Sequence, residues 1–477
     1  MKKLKENPTL LYILIIAACF FYTGSAYMSQ MYLLTDYYSD EAVDIITSAL
    51  NYGLQALGML LFMLGMKKLP SLFRKKQPFI AILATGTPFM AGMLLIKNGL
   101  AMCILGSVFN LFIGIYFGYY LTMLAAFVDE KRLGFAYGIS YAVATVGTYA
   151  ISLIGDSSFL VSEAVVVLYI IFALLTIALL MYSEDIPVEA EDKKSFDNES
   201  KSVEANPINE ENEVNPKNLF PTLKWLIIIV FLMAFVSSAG SGLYLALPAS
   251  SDVNFTLTRA FYAIGLIVTG IIIDRSRQLG GLLTLASLTY PLIATSLLSN
   301  GENGTLALCI SYMFLGFFAV YRVVAFADLG KKNKAFLPAA GLGLMIARFV
   351  DVIITILLFY VDMSQNTKLI STALIYSLTL VLFILFLLKE HSGFKHEIAS
   401  EPALSKEALL ARFSEKYGLT AREQEILSCI DAGKNDSEIA EQFFISKSTV
   451  RFHISNLMKK TGCTSRVEVV RKLAQEQ

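Results

Sequence analysis

Apolar runs long enough to cross a bilayer recur twelve times along the chain, at 10–34, 43–66, 79–96, 101–126, 133–154, 160–182, 222–247, 255–273, 279–298, 304–326, 336–360 and 366–389. A hydrocarbon core of roughly 30 Å takes about 20 apolar residues in a helix. Lipid cannot hydrogen-bond an exposed backbone, so these runs predict helices, and the alternating segments of a membrane barrel are absent. The expected fold is all-α, with twelve transmembrane helices in two halves of six. Composition agrees: of 477 residues, 55% are apolar and only 16% charged, against about 25% charged in soluble proteins.

The basic start, Lys2, Lys3 and Lys5, resembles a secretory leader, but the run at 10–34 exceeds a cleaved core of about 7–15 residues. It reads as a retained first membrane helix. Cys19, Cys103 and Cys309 lie in apolar runs, and Cys429 and Cys463 stand far apart. That spacing predicts no disulfide framework, metal site or cofactor, and a reducing compartment.

Basic residues fall on alternate loops: Lys67, Lys68, Arg74, Lys75 and Lys76; Lys131 and Arg132; Arg275 and Arg277; Lys331, Lys332 and Lys334. The opposite loops offer little beyond Lys97, Arg259 and Lys368. Positive loops stay inside, so both termini are expected in the cytoplasm. The acidic stretch 183–221, with Glu184, Asp185, Glu189 and Glu191 among its carboxylates, reads as a flexible linker between residues 1–182 and 222–389.

The halves look related, since Lys131-Arg132-Leu133-Gly134-Phe135-Ala136 before the fifth run resembles Lys332-Asn333-Lys334-Ala335-Phe336-Leu337 before the eleventh. Six-plus-six repeats are a transporter construction. The segment Gly270-Ile-Ile-Ile-Asp274-Arg275-Ser276-Arg277 resembles the cytoplasmic loop motif of the major facilitator superfamily. The first-half counterpart, from Gly65 to Lys76, keeps the glycine and the positive charge but has no aspartate. The fourth run also lacks an arginine that many such transporters carry.

Charges inside hydrocarbon cost at least about 2.5–3.5 kcal/mol on insertion scales. Arg348 and Asp351, three residues apart, share one helical face. They read either as a mutually neutralising pair or as a ligand contact in a central cavity. Arg322 lies toward a helix end, where it could snorkel, and is a further candidate for ligand contact beside Arg348 and Asp351. Tyr116, Tyr119, Tyr120, Tyr137, Tyr141, Tyr149, Tyr244 and Tyr321 suit a cavity for an aromatic or amphipathic molecule, although packing explains most of them. Asn51 and Gln55 read as interhelical glue.

After Lys389 no run can span a membrane. Residues 390–418 read as a connector, with a helix at 402–417 whose stripe is Leu404, Ala408, Leu409 and Phe413. Four short amphipathic helices follow in 419–477. Thr420 and Glu423 form a capping box, Asp436 is the expected cap of the second helix and Ser446 of the third, and Ser465 with Glu468 form another box. Gly433 and Gly462 are the stops, and Val467, Val470 and Leu473 are expected to face inward on the last helix. Two helices, a tight turn and a longer third helix make a helix-turn-helix. Between Gln442 and Val467 there are Lys447, Arg451, Lys459, Lys460 and Arg466 and no acid, which suits phosphate neutralisation.

The run Leu419-Thr420-Ala-Arg422-Glu423-Gln-Glu425-Ile-Leu427, with Gly433-Lys434, Glu438-Ile439-Ala440, Ile445-Ser446, Thr449-Val450, His453 and Asn456-Leu457, resembles the LuxR-type (GerE-like) DNA-binding domain. That resemblance implies a recognition helix with Arg451, Phe452 and Ser455 toward bases. It also implies that Lys434, Lys447, Ser448, Thr449 and Lys459, with Ser446 at the helix start, lie toward phosphates, and that the last helix is a dimer contact. The expected whole is a membrane-embedded regulator, not an enzyme. It would sense an unidentified small molecule and bind double-stranded promoter DNA as a homodimer. The alternative is a secondary transporter with a regulatory tail.

Overall fold

The computed structural model describes residues 7–154, 163–186, 216–245, 255–291, 293, 304–361, 363–400 and 406–474. Among these residues every regular element is a helix. Two compact units emerge, residues 1–384 and 385–477.

The first unit holds α1 (Pro8–Leu34), α2 (Asp40–Lys68), α3 (Gln77–Leu95), α4 (Gly99–Phe127), α5 (Leu133–Ile154), α6 (Glu163–Tyr182), α7 (Pro216–Leu245), α8 (Phe255–Arg275), α9 (Arg277–Ser287), α10 (Gly304–Lys332) and α11 (Leu342–Tyr360), and most of α12 (Gln365–Ser400). Each expected run is therefore helical through most of its described length, and nine helices among the described residues are long and apolar enough to cross a membrane. Helix α7 begins at Pro216, six residues before its expected start, and carries Pro221 inside it. The residues between 187 and 215, where most of the acidic linker falls, lie outside the described residues. Its first residues are tied down: Ile186 N donates to Arg74 O at 2.9 Å, and Lys76 N donates to Asp185 Oδ1 at 2.9 Å.

The repeat in sequence has a structural counterpart. A 3₁₀ turn, Glu130–Arg132, leads into α5, and a longer one, Lys334–Gly341, leads into α11. In both, a short polar side chain opens the turn: Asp129 accepts from Lys131 N, and Asn333 from Ala335 N. The two halves meet where α5 packs on α8 and α2 on α11. At the first crossing, a Cβ added to Gly270 would lie 2.5 Å from Gly134 O, and one on Gly134 would lie 2.7 Å from Gly270 O. Only glycine at both positions lets the backbones approach so closely.

Within the first half, buried amides join helices as expected. Asn51 Nδ2 donates to Gln30 Oε1 at 3.0 Å, and Gln55 Nε2 to Asn110 Oδ1 at 2.7 Å. Asn51 closes a π-helical stretch, Ile45–Asn51, that widens α2 at this level.

The second unit contains α13 (Lys406–Lys416), α14 (Ala421–Asp431), α15 (Asp436–Gln442), α16 (Lys447–Thr461) and α17 (Arg466–Ala474). Its core gathers Leu410, Phe413, Ile426, Leu427, Ile430, Ile439, Val450, Ile454, Leu457, Val469 and Leu473. The helix expected as a connector thus supplies Leu410 and Phe413 to this core. Burying an aromatic side chain of this kind contributes about 1.5–3 kcal/mol. The stripe residues Leu404, Ala408 and Leu409 lie outside the described side chains.

Candidate ligand cavity and nucleic-acid interface

Between the halves of the first unit lies a cavity of about 520 Å³, a size suited to a small organic molecule. Phe20, Tyr27, Tyr52 and Tyr141 line it from the first half. Tyr262, Phe318, Arg322, Arg348 and Asp351 line it from the second. All three charges suspected from the sequence therefore meet in one space. Arg348 lies face-on to Tyr52, with Cζ 3.7 Å from the ring centroid, and its NH1 stands 3.9 Å from Asp351 Oδ2. That separation is an attraction without a hydrogen bond, so pairing and cavity lining coexist.

Arg322 does not snorkel. It turns into the cavity 5.2 Å from the Phe318 ring centroid, and its Nε is buried without a hydrogen-bond partner. Of the tyrosines singled out in the sequence, Tyr141 and Tyr149 line the cavity, whereas Tyr116, Tyr119, Tyr120 and Tyr137 are packed within the first half. Tyr321 sits against Phe383, and the side chain of Tyr244 lies outside the described residues. Tyr27, Tyr52, Tyr262 and Tyr312 also reach the cavity. Nothing in their apolar helices marked them out, because a wall residue and a packing residue have the same local sequence.

The loop motif forms a latch between the halves. Asp274 accepts from Gly134 N and Phe135 N, both at 2.7 Å, and so caps the first turn of α5 from α8. Arg277 binds Asp328 through Nε at 2.7 Å and NH2 at 3.1 Å. It also donates to Ile273 O at 2.7 Å, to Asp274 Oδ1 at 3.1 Å and to Glu130 O at 2.6 Å. Gly270 provides the close crossing described above, while Arg275 is exposed and outside this network.

In the second unit the caps are explicit. Thr420 and Glu423 form the expected box, and Ser446 Oγ accepts from Thr449 N. Gly462 ends α16 with φ 68°. The second helix is capped by Asn435, in a box with Glu438, rather than by Asp436. Freed from capping, Asp436 Oδ2 takes Arg451 Nε at 3.1 Å and Oδ1 takes Arg466 NH1 at 3.3 Å. At the last helix Ser465 Oγ accepts from Glu468 N, but Glu468 returns to Thr464 N at 2.7 Å, one residue earlier than a box requires. The inward residue there is Val469, and Val467 is exposed.

Helix α16 buries Val450, Ile454 and Leu457 and turns Ser448, Arg451, Phe452, Ser455 and Lys459 away from the core. Arg451 is 74% exposed and Phe452 62%. The positive run divides by role. Lys460 turns inward to Glu423 at 2.7 Å and Arg466 to Asp436, leaving Lys447, Arg451 and Lys459 outward. Lys434 Nζ donates to Gln442 Oε1, at the C-terminal end of α15. His453 sits edge-on to Phe452. Burial opposes charge on Glu423, but Lys460 and the Thr420 N–H outweigh it and hold the carboxyl below the usual glutamate range. Hydrogen bonds from Thr464 hold Glu468 low as well.

The profile of the Major Facilitator Superfamily matches residues 11–330, well over half of the chain. The chain belongs to the Major Facilitator Superfamily. A solved structure of the Escherichia coli fucose:proton symporter, FucP, shares this fold with a TM-score of 0.52 at 14% identity, over 80% of this chain and 97% of that one. The superfamily match and the nine apolar helices make this a multi-pass membrane protein.

The profile of bacterial regulatory proteins, luxR family, matches residues 418–473. The spore germination protein GerE of Bacillus subtilis is 44% identical over 61 residues, covering 13% of this chain and 82% of GerE. The B. subtilis transcriptional regulatory protein DesR is 40% identical over 58 residues, 12% of this chain and 29% of DesR. This Major Facilitator chain therefore carries a LuxR-type DNA-binding domain at its C-terminal end.

Proposed function

We propose that the protein is a one-component transcriptional regulator of the bacterial inner membrane, with both ends in the cytoplasm. A small molecule bound between the halves would favour one packing of α5 on α8 and α2 on α11. That packing would govern how a LuxR-type dimer holds promoter DNA. The observation that carries this reading is a charged cavity, lined by both halves, in the same chain as an outward helix bearing Arg451, Phe452, Ser455 and Lys459. Arg451 would meet a guanine edge and Phe452 a thymine methyl. Ser446, Lys447, Ser448, Thr449, Lys459 and Lys434 would fix the register on phosphates.

Asp274 holds the α5 turn in the arrangement seen, and the sensor reading requires a second arrangement in which those two bonds are released. A ligand shifts such an equilibrium only by its difference in affinity for the two. Moving it from 1:99 to 99:1 takes about 5.5 kcal/mol.

A second reading, secondary transport with a regulatory tail, draws support from Asp351, a carboxylate on the cavity wall, and from the likeness to a symporter. One experiment separates them. Genomic sites bound by the protein are mapped with and without candidate small molecules, and uptake of the same molecules is measured in vesicles. Changed occupancy without uptake supports sensing. Uptake that disappears in Asp351→Asn, with occupancy unaltered, overturns it.

A further inference from the structure

The cavity carries more positive than negative charge. Its lining holds Arg322, Arg348 and Asp351 as the charged groups. Asp351 and Arg348 face one another at 3.9 Å, and Arg348 also rests on the Tyr52 ring. Arg322 has a ring contact, 5.2 Å from the Phe318 centroid, but no carboxylate within ion-pair distance among the described residues, and its Nε, like that of Arg348, is buried without a partner. A buried guanidinium keeps its charge at any physiological pH and needs an acceptor. An aromatic cluster lines the same cavity, with Phe20 stacked on Tyr141 at 4.5 Å and Tyr141 edge-on to Tyr262 at 5.5 Å.

We propose that this cavity binds a small organic monoanion, a carboxylate on a ring-bearing body, whose charge pairs with Arg322 while the ring lies against the aromatic wall. One negative charge brings the lining to neutrality, whereas a phosphate monoester, carrying close to two, overshoots. A carboxylate also matches the guanidinium fork with two parallel bonds. Arg348, already shared between Tyr52 and Asp351, then serves as the fixed side of the site and Arg322 as its receptor.

The inference deepens the reading of this cavity as the place where a ligand acts. The full chain in lipid nanodiscs is titrated with benzoate, phenylacetate and cyclohexanecarboxylate, each beside its primary amide, and dissociation constants are compared. At least one acid is expected to bind tenfold or more tightly than its amide. Arg322→Gln removes that preference, and Arg322→Lys keeps part of it. Without added acid, Arg322→Gln melts no lower than the parent, because it removes an unpaired charge. Equal binding of acids and amides, no binding by any acid, a preference that survives Arg322→Gln, or a lowered melting temperature overturns the proposal. Binding to duplex sites taken from the genomic map is followed in the same samples. Acid binding with unchanged DNA affinity supports the proposal while sinking the sensor reading. A DNA response to a neutral cavity ligand alone overturns the proposal and spares that reading.

Discussion

Arg277 holds Asp328 with two parallel bonds, Nε to Oδ2 at 2.7 Å and NH2 to Oδ1 at 3.1 Å, and so ties the start of α9 to the C-terminal end of α10. The side chains are 30% and 15% exposed, so solvent screens the pair only in part. Asp328→Asn is expected to cost roughly 1–3 kcal/mol, less than the loss of a fully buried partner. A double-mutant cycle with Arg277→Gln, read by thermal melting of the full chain, checks it. Additive losses would show that the two side chains act separately.

Gly270→Ala places a methyl group 2.5 Å from Gly134 O, against backbone that cannot rotate away. The α5–α8 crossing should part, and Asp274 should lose its two bonds to Gly134 N and Phe135 N. Cysteines introduced on either side of the crossing are expected to crosslink several-fold more slowly in this variant. An unchanged rate would mean that the crossing tolerates a wider spacing.

The C-terminal unit, expressed alone, should lose stability on acidification. Glu423 and Glu468 both have carboxyls held below the usual glutamate value of 4.5. A depressed folded value means that the contribution is complete above that pH and lost as pH falls through the folded value. Melting temperature is therefore expected to be flat from neutrality to about pH 5 and to fall below it. Glu423→Gln, which leaves the Lys460 partner behind, should cost about 1–2 kcal/mol at neutral pH and flatten the acid limb. An acid limb unchanged by that substitution would assign it elsewhere.

Arg451→Ala in the same unit is expected to weaken sequence-specific binding by about 1–3 kcal/mol and to relax preference at one base pair. Lys459→Ala should instead weaken all sequences alike and reduce the salt slope by about one. Quantitative binding to specific and scrambled duplexes at several salt concentrations distinguishes them. Interchanged behaviour would reverse the two assignments.

Much of this was legible in the residues because the signals are local. Apolar length marked the helices, and Thr420 with Glu423, Ser446 and Gly462 marked the helix ends, since a cap is decided within four residues. Where two residues could cap, locality failed. Asn435 and Asp436 are both good acceptors, and the choice was made by Arg451 and Arg466, which come 15 and 30 residues later and draw Asp436 away. Val467 and Val469 are likewise indistinguishable until α17 docks and buries Val469. The charges of the cavity stood out because charge in an apolar run is rare, whereas its aromatic wall did not. For Arg322 the sequence left a route to water open beside a place in the cavity, and only packing shows that it faces inward.

For the base contact proposed for Arg451, the hold of Asp436 makes the encounter an exchange rather than an addition. A duplex must replace a carboxylate 3.1 Å away, and only an edge offering two acceptors replaces what is surrendered. Where no such edge is present, the proposed exchange gains less, and the guanidinium adds correspondingly less to sequence-independent binding. Discrimination then improves by weakening the wrong complexes, with no need for a tighter right one.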